Sequence, residues 1–444
     1  MKVYNYSCQG ESHKADDKEC QDYSCTLSDV EKGLSIAVVC DGHGGDTYFR
    51  SAVGAKAAAE IAVSAIRIFV DNWDGSMIKN LPFTQMGTLD FQTDQNALDK
   101  VFRQLFSSIY SQWIVKITED AQRPVTEWEQ QHVKPEHLHL LQDTDRIVKV
   151  YGCTLMAYAQ TPNYWFAFHL GDGKCVMIDD ELQFSQPIPW DERCFLNKTT
   201  SMCDSAPIGE FRYCVQADGH FPVAIFLGSD GLDDTFGDGD RLYNFYGNIL
   251  KEIYNNGMED AKLSIQNALP QLSKVGSKDD MSVAFVYDES CLERISKVVN
   301  KQTIATLQAD LEKLQRDTND WKTKIDNVSR QLKELDNKRL ELERKKHDLE
   351  REYERSKNDL EKTQQSLCKM DKDYPECCTQ TELNSTPESE MDSGEQPATE
   401  YSPLSPSSFA TTNETLQESV SQISDTEEIK EDGLLKGLIR RMFH

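Results

Sequence analysis

Aspartates recur along the first part of this chain beside glycine or at the ends of apolar runs. Asp22 follows Cys20 and Gln21, and Asp41 follows the run Ser35-Ile36-Ala37-Val38-Val39-Cys40 and opens the turn Gly42-His43-Gly44-Gly45. Asp172 lies in Leu170-Gly171-Asp172-Gly173, and Asp230 follows Ala224-Ile225-Phe226-Leu227-Gly228-Ser229. Asp279 and Asp280 precede the apolar run that starts at Met281. An isolated Asp-Gly pair is usually only a turn. Repetition of the design in one domain points instead to convergent carboxylates, with glycine letting the backbone approach a ligand and Gly42 offering a carbonyl oxygen. All-oxygen donors without Cys or His ligands suit hard cations such as Mn²⁺ or Mg²⁺, which also bind phosphate oxygens. Two such ions polarise a phosphoryl group and supply a hydroxide nucleophile at neutral pH.

Short apolar stretches have to deliver these groups. Strands are expected at Leu34–Cys40, Gly152–Gln160, Tyr164–Leu170, Lys174–Ile178, Val223–Gly228 and Met281–Tyr287, and helices at Gly45–Phe69, Ala97–Glu119 and Arg241–Asn256. Several of the strands follow one another across short turns, which favours antiparallel pairing over a doubly wound parallel sheet. The mixture predicts an α/β or α+β enzyme core.

The order and wording of the motifs resemble the type 2C, metal-dependent protein phosphatases over roughly residues 5–288, and most closely their bacterial branch, where Ser12-His13 and Cys20-Gln21-Asp22 stand for the opening motif. The resemblance implies an α+β fold with a central β-sandwich of two antiparallel sheets flanked by helices in four layers, within a domain of residues 1–295. It implies a protein serine/threonine phosphatase using two Mn²⁺ or Mg²⁺ ions, with a third weaker site, in which metal-bound hydroxide attacks phosphorus without a phosphoenzyme. By the same resemblance Asp41 bridges two metals with the Gly42 carbonyl on one ion, and Asp230 and Asp279 complete the other shell. Asp22 acts directly or through water, and Asp172 joins Asp230 at the third site. His43 is the general acid for the leaving oxygen, or else a residue that orients the loop. Asp280 competes with Asp279 as ligand, or hydrogen-bonds the preceding loop.

The chain departs from the family where a phosphate-gripping Arg usually precedes the opening acid, because Asp17 and Lys18 stand there. His13, Lys14 or Lys18 is the available substitute, although a lysine is a point charge rather than a bidentate fork. A substrate flap is expected within 180–220, where Trp190, Arg193, Lys198 and Arg212 either contact substrate or pack the flap. No Cys-x5-Arg motif of a cysteine phosphatase occurs. Asp233, Asp234, Asp238 and Asp240 lack calcium-loop spacing and read as a solvated acidic loop. The alternatives to catalysis are a weak phosphatase-like module that binds phosphoproteins and a coiled-coil scaffold.

Residues 300–370 lose Gly and Pro and follow a heptad register, with Ile304, Leu311, Ile325, Leu332, Tyr353 and Leu360 among the a positions and Leu307, Leu314, Trp321, Val328, Leu335, Leu342 and Leu349 at d. A coiled coil roughly 95 Å long is expected, and with it a homo-oligomer; the alternative is a single charged helix folded back on the first domain or a helical hairpin, and Arg339 and Lys346 at consecutive a positions weaken the seam. Residues 371–432 are acidic and rich in Ser, Thr and Pro, and read as disordered. Residues 433–444 are basic and amphipathic and suit either docking to a protein or a membrane surface or an ordinary frayed terminus. The net charge of −27 opposes nucleic-acid binding. Thirteen cysteines, an odd number, without an export signal predict reduced thiols in a cytoplasmic protein with phosphoprotein substrates.

Overall fold

The structure is a computed structural model that describes residues 1–87, 97–194, 198–237 and 239–373. Of the stretch 371–432 expected to be disordered, residues 371–373 continue the last helix, while the rest of it, the basic segment 433–444 and Asp238 lie outside the described residues. The chain falls into two units that part between Ala305 and Thr306.

Among the described residues of the first unit, eleven strands form two sheets: β1 (Lys2–Cys8), β2 (Tyr23–Asp29), β3 (Leu34–Cys40), β4 (Thr84–Met86), β5 (Leu155–Gln160), β6 (Trp165–Leu170), β7 (Lys174–Ile178), β8 (Phe184–Ser185), β9 (Arg212–Gln216), β10 (Ala224–Gly228) and β11 (Met281–Tyr287). One sheet runs β1-β11-β10-β7-β8 and the other β2-β3-β5-β6-β9-β4. Every pairing is antiparallel. The central strands read as continuous apolar runs because both of their faces are covered. Within β3, Ala37 and Val39 pack between the sheets against Met156, Trp165, Leu227 and Val286. Its Leu34, Ile36, Val38 and Cys40 pack outward against helices Ser51–Asn72 and Ala97–Ala121. Helices Gly239–Asn256 and Met258–Val275 cover the other sheet, with Leu292, Ile295 and Val299 of the last helix joining that layer. The result is the expected α-β-β-α sandwich.

Helix Ser51–Asn72 begins later than its small-residue pattern predicts, because residues 46–48 form a separate 3-10 turn. It packs tightly, since a Cβ on Gly54 would meet the Tyr151 carbonyl oxygen at 2.0 Å. Strands β1 and β2 were not expected from the sequence, and both carry polar residues that bond across their faces, such as Asn5 donating to the Ser24 carbonyl at 2.8 Å. A single helix, Leu292–Asp373, runs from the first unit through the described part of the second, with no Gly or Pro in it. No helix among the described residues is long and apolar enough to cross a membrane. Every described cysteine is free.

Candidate active site

Antiparallel register gathers the aspartates. Tyr23 pairs with Cys40, so Asp22 before β2 and Asp41 after β3 leave the same edge of one sheet. Leu155 pairs with Leu170, which brings the β6–β7 turn with Asp172 to that edge as well. In the other sheet Gly228 pairs with both Val283 and Lys174, so Asp230 after β10 and Asp279 before β11 emerge together. The turns are close to backbone contact: a Cβ on Gly42 would meet the Gln21 carbonyl oxygen at 2.6 Å, and one on Gly231 the Asp280 carbonyl oxygen at 2.1 Å. Thr154 fixes the start of the Asp41 turn, accepting from its amide at 3.0 Å and donating its own amide to the Asp41 carbonyl at 2.7 Å.

The electrostatics follow from this crowding. Desolvation pushes Asp41 well above the ordinary carboxylate range, and the neighbouring Asp230, Asp22 and Asp279 push it further. Burial and Asp280 do the same to Asp22 against a hydrogen bond from Ser229. Asp230 is pushed up to about 6, mainly by desolvation, with Asp172 and Asp279 adding repulsion. Asp172 and Asp279 are raised by desolvation too, Asp172 despite a hydrogen bond with Thr199. Buried like charges at this density are unfavourable unless cations or protons compensate them. Asp22 Oδ2 and Asp230 Oδ1 are buried with no hydrogen-bond partner among the described residues. Oxygen donors left unsatisfied in a ring of carboxylates fit hard divalent ions.

Asp280 behaves differently. It accepts from the amide of Gly10 at 2.6 Å and from that of Gln21 at 2.5 Å, and lies 3.0 Å from His13 Nδ1. Burial raises its pKa, but His13 and the two amides outweigh this and hold it below the ordinary range. His13 in turn is raised above its usual value, chiefly by Asp280. His13, Asp279 and Asp280 bring one nitrogen and two carboxylate oxygens within 4.8 Å of one another. The charge of Asp279 is felt by Asp22, Asp41 and Asp230, and that of Asp280 by Asp22.

His43 sits in the Gly-rich turn with Nε2 2.7 Å from Ser201 Oγ, its amide bonded to the Gly152 carbonyl, and its ring edge-on to Tyr48. Burial, helped by Lys149, lowers its pKa to about 4, so the imidazole is neutral near pH 7.

Lys18 Nζ reaches the Gly44 carbonyl at 3.4 Å. It borders a cavity of about 570 Å³ shared with Gln21, Gly45, Arg123, Trp128 and His132. Sequence reasoning singled out neither Arg123 nor the helix Glu127–His132, since only the fold carries them to the Asp41 turn. Arg50, under the same cavity, is buried and held by Glu129 and Asp120. In the 180–220 region Arg193 pairs with Asp191 and Glu210, and Arg212 is buried and donates to the carbonyls of Pro189 and Gly171. Those two arginines pack the segment. Trp190 is exposed, with Lys174 Nζ 3.5 Å from its ring centre.

The family model for protein phosphatase 2C matches residues 9–269. The chain belongs to that family. Solved structures similar to it include a bacterial serine phosphatase, at 15% identity and TM-score 0.39, covering 65% of this chain and 99% of that one. The serine/threonine phosphatase Stp1 of Staphylococcus aureus is 15% identical with TM-score 0.38, covering 65% and 95%. The catalytic domain of the serine/threonine protein phosphatase PstP, solved with two manganese ions, is 14% identical with TM-score 0.35, covering 65% and 98%. No curated protein sequence matches the chain.

Proposed function

We propose that this protein is a metal-dependent phosphatase acting on phosphoserine and phosphothreonine in proteins. The observation that carries this reading is the ring of mutually repelling carboxylates at one end of the sandwich, with oxygens of Asp22 and Asp230 left unpartnered. Membership of the 2C family supports it. Asp41, the Gly42 carbonyl, Asp230 and Asp279 are the residues to hold two divalent ions, Mn²⁺ or Mg²⁺, with Asp22 supporting them and Asp172 contributing with Asp230 to a third. Bound there, such ions supply phosphoryl polarisation and a hydroxide nucleophile at neutral pH. Of the chain's own residues, His43 is the one placed to pass a proton to the departing serine or threonine oxygen, a role that requires bound phosphate to favour the imidazolium over the neutral form that burial favours, and Lys18 faces the phosphate with its point charge. His13 serves the site through Asp280, which its position 3.0 Å from that carboxylate supports. The helix beyond 305 assembles the enzyme into a homo-oligomer.

The test is Mn²⁺-dependent phosphate release from a phosphothreonine peptide by the full chain. Asp230→Asn is expected to remove it and to weaken Mn²⁺ binding measured by calorimetry. Tight phosphopeptide binding by the wild-type chain without turnover would favour a binding module instead.

A further inference from the structure

The apolar seam of the last helix has no partner within the described chain: Ile304, Leu332 and Leu349 are 56%, 58% and 66% exposed. A seam of this kind is covered in a coiled coil, and the charges beside it select the partner and its direction. We infer that the helix pairs with a second copy of this chain as a parallel, in-register, two-stranded coil. This rests on the oligomer proposed above and adds its orientation.

The argument is charge complementarity at the g and e positions that flank the seam. In a parallel in-register pair each g residue meets the e residue five places on in the partner. Those pairs are Asp317 with Lys322, Lys338 with Glu343, Lys345 with Glu350 and Glu352 with Lys357, all opposite in sign, and each forms twice across the two-fold axis. The remaining g–e' pairs in this register, such as Lys324 with Ser329 and Gln331 with Asp336, contain at least one uncharged residue, so no like-charged pair arises. Sliding one chain by a heptad leaves six opposite-charged contacts in place of eight, among them Lys338 with Glu350 and Lys324 with Asp336, and adds three like-charged ones, Lys345 against Lys357, Glu352 against Glu350 and Lys324 against Lys322. A fully overlapped antiparallel pair, in which g meets g and e meets e, sets Asp317 against Glu352 and Lys324 against Lys345, with Lys322 and Glu343 its attractive contact.

Arg339 and Lys346 at neighbouring a positions work against the parallel choice, because each faces its own copy. Both have acidic neighbours on their own helix, Asp336 at 3.8 Å and Glu350 at 3.7 Å, and long side chains that carry the charge to the solvent edge of a two-stranded seam. A hairpin folded back on itself would need a break in a helix that runs without one from Leu292 to Asp373.

Sedimentation equilibrium of the full chain, wild type and Lys345→Glu, separates the possibilities. The parallel dimer predicts that Lys345→Glu sets glutamate against Glu350 twice and raises the dimer dissociation constant about tenfold, from pairs of the exposed type. Mixing Lys345→Glu with Glu350→Lys chains should then recover tight mixed dimers. Tighter association of Lys345→Glu, expected where Lys345 meets Lys324, overturns the orientation and leaves assembly standing. A wild-type chain that stays monomeric at tens of micromolar overturns the assembly reading and this inference with it. A third readout is Leu349→Cys, a d position: mild oxidation should cross-link parallel chains at that site, and a dimer that gives no cross-link rejects the in-register parallel form.

Discussion

At the scale of single residues, the aspartates are separable by what satisfies them. Asp280 spends its oxygens on the amides of Gly10 and Gln21 and on His13, whereas Asp22 and Asp230 each keep a buried oxygen without a partner among the described residues. The motif strings made Asp41 and Asp230 stand out, because a carboxylate next to glycine at a strand end is a local pattern, and Asp279 because a paired carboxylate directly precedes an apolar run. The His13–Asp280 contact was not legible, since it joins residues that only the pairing of β1 with β11 brings together. The two readings of His43 separate by leaving group. If it supplies the proton, His43→Ala lowers turnover of a phosphothreonine peptide by on the order of 10²-fold or more. Hydrolysis of p-nitrophenyl phosphate, whose phenolate departs unaided, should then fall far less in the same steady-state assays. Equal losses on both substrates would assign His43 to bracing the turn through Ser201 and Gly152.

Among the elements, the strands that announce themselves are those buried on both faces. Strands β3, β5, β6, β7, β10 and β11 are apolar almost throughout, while β1 and β2 interleave tyrosine, asparagine, serine and cysteine and show neither a clean alternation nor an apolar run. Polar contacts such as Thr26 Oγ1 to Asn5 Oδ1 at 2.8 Å replace apolar packing there, so hydropathy carries little signal. Helix Met258–Val275 was missed for a related reason, because Pro270 interrupts an otherwise helical pattern. The turns at the site are set by backbone proximity as well as by side chains such as Thr154 and Asp280. Gly231→Ala tests this, since its Cβ would lie 2.1 Å from the Asp280 carbonyl oxygen. Backbone must move to admit it, at a cost of about 1–3 kcal/mol by analogy with overpacked cores. The urea midpoint should fall with an unchanged slope, and Mn²⁺ affinity should fall as Asp230 and Asp279 are driven apart. An unchanged midpoint and affinity would show that this junction yields without consequence.

For the whole molecule, the acidic ring ties stability to metal and pH together. A carboxyl raised in the folded state favours folding fully below its ordinary value and loses that contribution as pH rises through the folded value. For Asp230 that window runs from 3.8 to about 6, and Asp22 and Asp41 are displaced in the same direction. The His13–Asp280 pair does not cancel this: Asp280 is already ionised within the window, and the contribution of His13 is lost only above the ordinary 6.5. In chelator, the melting temperature of the full chain should therefore fall between pH 3.8 and about 6, where the unfolded carboxylates ionise freely and the folded ring resists. The net charge of −27 adds self-repulsion with the same sign, so the series belongs at a fixed salt concentration high enough to screen surface charges. Mn²⁺ binds the ionised ring, and at a hundredfold excess over its dissociation constant should add about 2.7 kcal/mol and flatten the slope with pH. A metal-free melting temperature that holds level across this range, or that Mn²⁺ fails to raise, would mean that the repelling carboxylates do not gather to bind a cation.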